Sequence, residues 1–360
     1  VLSMTRRARF TRGASSPPTV TRFPPVALPA SIAARAAARI IDDRPDKGAT
    51  LRVQEQSGPF TQGATVTEVF RTPEERFEGL PDFGFQPRYR QAGGLRLAHL
   101  DEGEGSPVVF LHGEPTWSFL WRRVVPPVRD AGYRCIVPDL AGFGRSDKPV
   151  SQSWYSYDRH TELTVSLFEE LDLRDATLVA HDWGGPIGLR LAVEHPGRVA
   201  RIVAMDTGVF TGHQPMSEAW HRFAAFVART EDLPIGLLVR RGCARDPGDD
   251  VAAAYEAPFP EQAAKAGAKA FPAMLPLSPD APGAEAGRRT FAALCQDRRP
   301  MLLLWGEEDR ALPVAAGEAL ASALGRPPPR RVAGAGHFLQ EDRGPEIGRL
   351  IAEWLAAGTA

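Results

Sequence analysis

Three things are scarce in this chain, and each scarcity excludes something. It has 3 cysteines in 360 residues, Cys135, Cys243 and Cys295. They are odd in number, scattered and without metal-ligand spacing, which excludes a disulfide framework and points to a reducing, cytoplasmic setting. The formal net charge is only -1 at pH 7. The basic excess that phosphate binding requires is missing, and nucleic acid is excluded as a main partner. No apolar run approaches the ~20 residues of a membrane-spanning helix, so no membrane role is expected. A fourth lack is local: no acid precedes Asp42, although Arg6, Arg7, Arg9, Arg12, Arg22, Arg35 and Arg39 do.

That acid-free stretch sets off residues 1–66, rich in Ser, Pro and Gly, from the rest of the chain. It reads as an N-terminal extension, expected to be disordered or to lie upstream of the true start. An organelle-targeting leader would have the same Arg-rich, acid-poor character, whereas a secretory signal would need a continuous apolar region. Within it Ser31–Ile41 could make an Ala-rich helix. From Thr67 the composition is that of a packed domain, and the chain is 43% hydrophobic, enough for a large core.

Apolar runs over Leu95–Leu100, Val108–His112, Tyr133–Pro138, Ala176–Ala180, Val199–Met205 and Met301–Trp305 predict strands, several apolar throughout and so central in a sheet. Arg330–Val332 predicts a short last one. Helices are predicted over Trp117–Asp130, Tyr157–Leu171, Pro186–His195 and Pro345–Leu355. This alternation predicts a doubly wound, mostly parallel α/β sheet. It breaks down over residues 207–299, where Trp220–Arg229 looks helical, Pro258–Pro260 and Phe271–Pro276 are broken by proline, and Ser278–Ala286 is loop-like. An insertion of that length predicts a helical lid, splitting the core into residues 67–206 and 300–360. Ligands of such sheets bind at the carboxyl edge beneath it.

The chemistry gathers around Val179-Ala180-His181-Asp182-Trp183-Gly184-Gly185. A strand halts at an acidic residue and two glycines open a helix, which is the nucleophile-elbow pattern with Asp182 where Ser usually stands. An Asp before a helix also caps it, so the stretch alone leaves both readings open. Three further segments bear on the choice. His112-Gly113-Glu114 follows a core strand, where the Glu114 N–H could join that of Trp183 in an oxyanion hole. Gly306-Glu307-Glu308-Asp309 follows another strand, and Gly334-Ala335-Gly336-His337 follows the last. Nucleophile, acid and histidine then come in the chain order expected of this topology.

From Phe70-Arg71-Thr72-Pro73-Glu74-Glu75-Arg76-Phe77 onward the chain resembles a haloalkane dehalogenase of the α/β-hydrolase fold. The matching segments are His112–Trp117, Gly142–Pro149, Asp182-Trp183-Gly184, Ala257-Pro258-Phe259-Pro260 and Gly336-His337-Phe338. The resemblance implies Asp182 as nucleophile, His337 as base, Asp309 as its acid and Trp183 as a halide donor. It also implies a small halogenated alkane, water and halide as the reaction partners, and no metal or organic cofactor. Residue chemistry agrees: a carboxylate can displace halide to leave an ester, which water activated by histidine hydrolyses. An uncharged indole N–H can receive the halide without pairing with the nucleophile.

The chain departs from the family pattern twice. One branch takes its second halide donor from an Asn where Glu114 stands here. Another takes it from a lid Trp expected near Phe223, whereas this lid carries Trp220; Trp220 either substitutes or merely packs. Asp206, ending Val199–Met205, stands where some relatives carry their acid, and so competes with Asp309. Epoxide hydrolases share the elbow but need a pair of phenols in the lid, and only Tyr255 is available. A fluoroacetate-type dehalogenase would carry Arg where Trp183 stands. A non-catalytic binding protein on the same fold commonly lacks a triad member, and none is missing.

Overall fold

The computed structural model describes residues 39–40, 48–54 and 66–358. In chain order its strands are β1 (Arg39–Ile40), β2 (Ala49–Gln54), β3 (Val66–Arg71) and β4 (Arg88–Ala92). Next come β5 (Leu95–Glu102), β6 (Pro107–Leu111), β7 (Arg134–Pro138) and β8 (Lys148–Pro149). The last are β9 (Ala176–His181), β10 (Val199–Met205), β11 (Met301–Gly306) and β12 (Arg330–Val332). Helices α1 (Val125–Asp130), α2 (Tyr157–Glu170) and α3 (Gly184–Glu194) connect the earlier strands. Between β10 and β11 lie α4 (Glu218–Arg229), α5 (Ile235–Gly242), α6 (Asp249–Glu256), α7 (Ala266–Met274) and α8 (Ala284–Gln296). Helices α9 (Val314–Ala323) and α10 (Leu339–Ala357) complete the chain.

The main sheet runs β12-β11-β10-β9-β6-β7-β5-β4. It is parallel from β12 to β7 and antiparallel at β5 and β4. Its central strands are buried on both faces, which is why they read as unbroken apolar runs. Side chains alternate between the faces. Val108, Phe110, Val179, Val203 and Met205 pack into one core. Val109, Leu111, Leu178, Ala180, Ile202 and Ala204 pack into the other. The parallel register pairs Leu111 with Ala180, and Met205 with both His181 and Leu304. The residues after these strands therefore emerge side by side at one edge.

Several expectations are revised. Ala49–Gln54, placed in an extension expected to be disordered, is a strand paired with β3 in a second sheet of order β1-β2-β3-β8. Leu51 and Val53 are buried there. The Ala-rich helix over Ser31–Ile41 lies outside the described residues except for Arg39–Ile40, which are strand. Trp117–Asp130 is a 3-10 turn (Ser118–Trp121) followed by α1, not one helix. Pro126 and Pro127 remove the N–H donors that would join the two. Helix α10 is two helices joined across a kink at Arg343, whose φ is -139°, and the expected helix Pro345–Leu355 lies in the second of them. Ala284–Ala286, expected to be loop, already belongs to α8.

Candidate active site

Asp182 follows β9 directly and sits at φ +47°, a left-handed backbone that non-glycine residues occupy at a cost. Its carbonyl accepts hydrogen bonds from the Thr207 Oγ1 hydroxyl at 2.6 Å and the Gly185 N–H at 2.9 Å, which hold the bend. Opposite it, Gly113 is a steric requirement: a Cβ there would overlap the Asp182 carboxylate. Helix α3 has no side-chain capping bond. The helix-cap reading of Asp182 is thereby set aside. Its Oδ1 accepts the Glu114 N–H at 2.8 Å, and the carboxylate is also bonded by the Trp183 N–H.

The other oxygen, Oδ2, lies 3.7 Å from His337 Nε2. His337 is presented by the turn after β12, its own N–H donating to the Gly242 carbonyl at 2.8 Å. Its Nδ1 meets Asp309 Oδ2 at 2.8 Å. Asp309 is in turn oriented by the N–H groups of Ala311 and Leu312, at 2.7 and 2.9 Å to Oδ1. The structure thus brings Asp182, His337 and Asp309 into one line. Asp206 stands elsewhere in that line. Both its oxygens accept the Gly306 N–H, at 3.1 and 3.2 Å, and its carboxyl touches Asp309. Among the described residues it makes no hydrogen bond to His337.

Burial and neighbours set the charges. Burial alone would raise the Asp182 carboxyl, but the His337 ring beside it outweighs burial and holds it below the usual carboxylate range. Burial alone would lower His337; the carboxylates of Asp309 and Asp182 instead raise it well above the ordinary imidazole value. Asp206 is pushed well up by burial and then by the Asp309 charge. Glu114, 6% exposed, is also pushed well up by burial and then by Asp182. Two carboxyl groups that meet through a backbone N–H are therefore shifted in opposite directions.

Sequence reasoning did not give roles to two buried histidines. His181 Nε2 lies 2.8 Å from the His337 carbonyl oxygen and donates to it, as burial holds the ring neutral with its pKa at about 4. His112 Nε2 accepts the Leu140 N–H at 3.0 Å, which leaves Nδ1–H to donate to the Gly113 carbonyl at 2.9 Å. That bond fixes the turn carrying Glu114. Both histidines end apolar strands next to a residue already singled out, the one signal that marked them.

A cavity of about 420 Å³ opens over Asp182. Glu114, Trp183 and His337 line its inner end, and Phe210, Trp220, Phe223 and Phe226 cover much of the remainder. Trp220 and Phe223 both face it from α4, so the two positions weighed for a second indole border the same space. The five tyrosines of the chain, Tyr89, Tyr133, Tyr155, Tyr157 and Tyr255, are all absent from the lining. Tyr255 instead donates from full burial to the Glu341 carboxylate. Among the described residues no group of three or more His, Cys, Asp or Glu is placed to hold a metal ion.

Comparison with known proteins identifies the family. The family described as the alpha/beta hydrolase fold matches residues 106–344. A haloalkane dehalogenase of Mycolicibacterium paratuberculosis is 43% identical over 299 residues, 80% of this chain and 99% of that one. The chain belongs to the haloalkane dehalogenase family. A relative from Psychrobacter cryohalolentis, also a haloalkane dehalogenase, is 37% identical over 300 residues, 80% of this chain and 98% of its own. The solved structure of a haloalkane dehalogenase from Paraglaciecola agarilytica superposes with a TM-score of 0.74 at 36% identity. It covers 78% of this chain and 97% of that one. As a member of this family the chain is a hydrolase, and the doubly wound sheet is the one the family carries.

Proposed function

We propose that the chain hydrolyses haloalkanes to an alcohol and halide through an ester on Asp182. The observation that carries this reading is the asymmetry of the Asp182 carboxylate. Oδ1 is held by the Glu114 N–H at 2.8 Å, while Oδ2 lies 3.7 Å from His337 Nε2. Oδ2 is therefore the oxygen free to attack. It displaces halide in line from an sp3 carbon, and the bond formed is an alkyl ester. Trp183 lines the cavity beside it and offers an uncharged indole N–H to the departing anion, with Trp220 as the second donor on α4.

The second step uses the other half of the carboxylate. Alkylation removes the Asp182 charge, one of the two that raise His337, so the ring's affinity for a proton falls and it is available as a base. His337 Nε2 then takes a proton from water as that water attacks the ester carbon. The oxyanion forms on Oδ1, already bonded by the Glu114 N–H, with the Trp183 N–H also on this carboxylate. Asp309 holds the ring and stabilises its charged form. The helices between β10 and β11 serve as the cap that excludes bulk water. The free thiols Cys135, Cys243 and Cys295 fit a reducing cytoplasm. An epoxide hydrolase would need phenols facing the substrate, and the cavity lining contains none.

Bromide release from 1,2-dibromoethane tests the reading. Turnover by the wild type and a loss of at least about a thousandfold in Asp182→Asn are expected. Silence across short bromoalkanes would overturn it.

A further inference from the structure

Around the outer part of the cavity the lining changes character. Arg222, Arg241 and Arg310 all border it, together with one acid, Glu308. Arg222 is taken up by an ion pair with Glu218. Arg240, adjacent to Arg241 on α5, is held by Asp246 and Asp249. Arg241 and Arg310 are different: both are exposed, and among the described residues neither has a hydrogen bond or ion pair. They approach from separate elements, Arg241 from the end of α5 and Arg310 from the turn that carries Asp309. Two guanidiniums without partners against one acid leave the mouth with net positive charge, above an inner end that is apolar apart from the reacting groups.

We infer that Arg241 and Arg310 select substrates with a carboxylate at the end remote from the halogen, the ω-haloalkanoates, over uncharged haloalkanes of the same length. The inference rests on Asp182 being the nucleophile, because that fixes the halogen end of the substrate at the buried end of the cavity. The rest of an unbranched substrate must then run outward to the exposed arginines. A guanidinium there meets a carboxylate with matching planar geometry, and two of them offset the repulsion from Glu308. The reaction balances as for any member of the class. The carbon–bromine bond breaks, Asp182 and then water supply the oxygen, and the products are an ω-hydroxyalkanoate, bromide and one proton.

The test compares initial rates of bromide release from 6-bromohexanoate and from 6-bromo-1-hexanol, a neutral probe of equal length. In the wild type at low salt kcat/KM is expected to favour the acid by roughly five- to tenfold, the scale of a partly exposed charge-assisted contact. The preference should shrink as ionic strength rises. In Arg241→Gln/Arg310→Gln the ratio should fall to about one or below, since Asp182 and Glu308 then repel the acid unopposed. A wild-type ratio at or below one overturns the inference, as does a ratio that the double variant leaves unchanged. If the variant slows both probes equally, the arginines act on the departing halide and the inference is wrong. If neither probe releases bromide, the dehalogenase reading itself fails and takes this inference with it.

Discussion

At the scale of single residues the site separates groups of the same chemical type by environment. Asp182 is held below the usual carboxylate range by His337, whereas Glu114, whose backbone touches it, is pushed well above that range by burial and by the Asp182 charge. Asp309 and Asp206 are divided by position: Asp309 meets His337 Nδ1 at 2.8 Å, and Asp206 touches Asp309 with its own carboxyl pushed well up. Asp309→Asn is therefore expected to slow ester hydrolysis by about a hundredfold or more, because the imidazolium loses its counter-charge. Asp206→Asn keeps a hydrogen-bond donor toward Asp309 and should cost less than about tenfold. Single-turnover kinetics with 1-bromobutane, resolving alkylation from hydrolysis, measure both, and equal losses would contradict the assignment. The pH sign is set by the raised His337. Its charged form contributes stability below the ordinary imidazole range, and that contribution is lost as pH rises through the folded-state value. Urea titrations of the wild type are expected to show this alkaline loss, and Asp309→Asn should flatten it. In the sequence each acid follows an apolar strand, and the Gly306-x-x-Asp309 context favoured Asp309 over Asp206. What separates them is the turn after β11, where Ala311 and Leu312 aim Asp309 at the ring.

At the scale of elements the elbow was legible and the insertion largely was not. Strand β9, the bend at Asp182 and helix α3 are all written locally, in an apolar run and paired glycines. Helix α4 was legible too, and its Trp220 and Phe223, three positions apart, share the face that borders the cavity. Trp220→Phe should weaken bromide binding by roughly fivefold or more, read from quenching of tryptophan fluorescence, with Trp183 left as the remaining indole. Unchanged bromide affinity would return Trp220 to a packing role. Helices α7 and α8 were hidden by their composition. Pro272 sits inside α7, and Gly283, at φ +84°, immediately precedes α8. Either residue in isolation reads as a break, and only packing shows that the helices persist.

At the scale of the whole molecule the parallel sheet was legible because its central strands are apolar throughout and the register brings their carboxyl ends together. The second sheet was not, because β2 is Ala49-Thr50-Leu51-Arg52-Val53-Gln54, a half-buried strand inside a polar, Pro- and Gly-rich segment. It nevertheless buries Leu51 and Val53 at 1% exposure each. Removing residues 1–54 should therefore destabilise the fold by about 3–6 kcal/mol, at roughly 1.5–3 kcal/mol per buried aliphatic side chain. Urea unfolding of the truncated chain measures this, and an unchanged midpoint would show that β2 is dispensable.

The central claim is that the Asp182 side chain forms a covalent ester which His337 later opens. The most direct measurement is the intact mass of His337→Phe after incubation with 1-bromobutane, followed by peptide mapping. One butyl group added stoichiometrically, on the peptide containing Asp182 and absent in Asp182→Asn/His337→Phe, is the expected result. An unmodified mass, under conditions where the wild type releases bromide, would contradict the account.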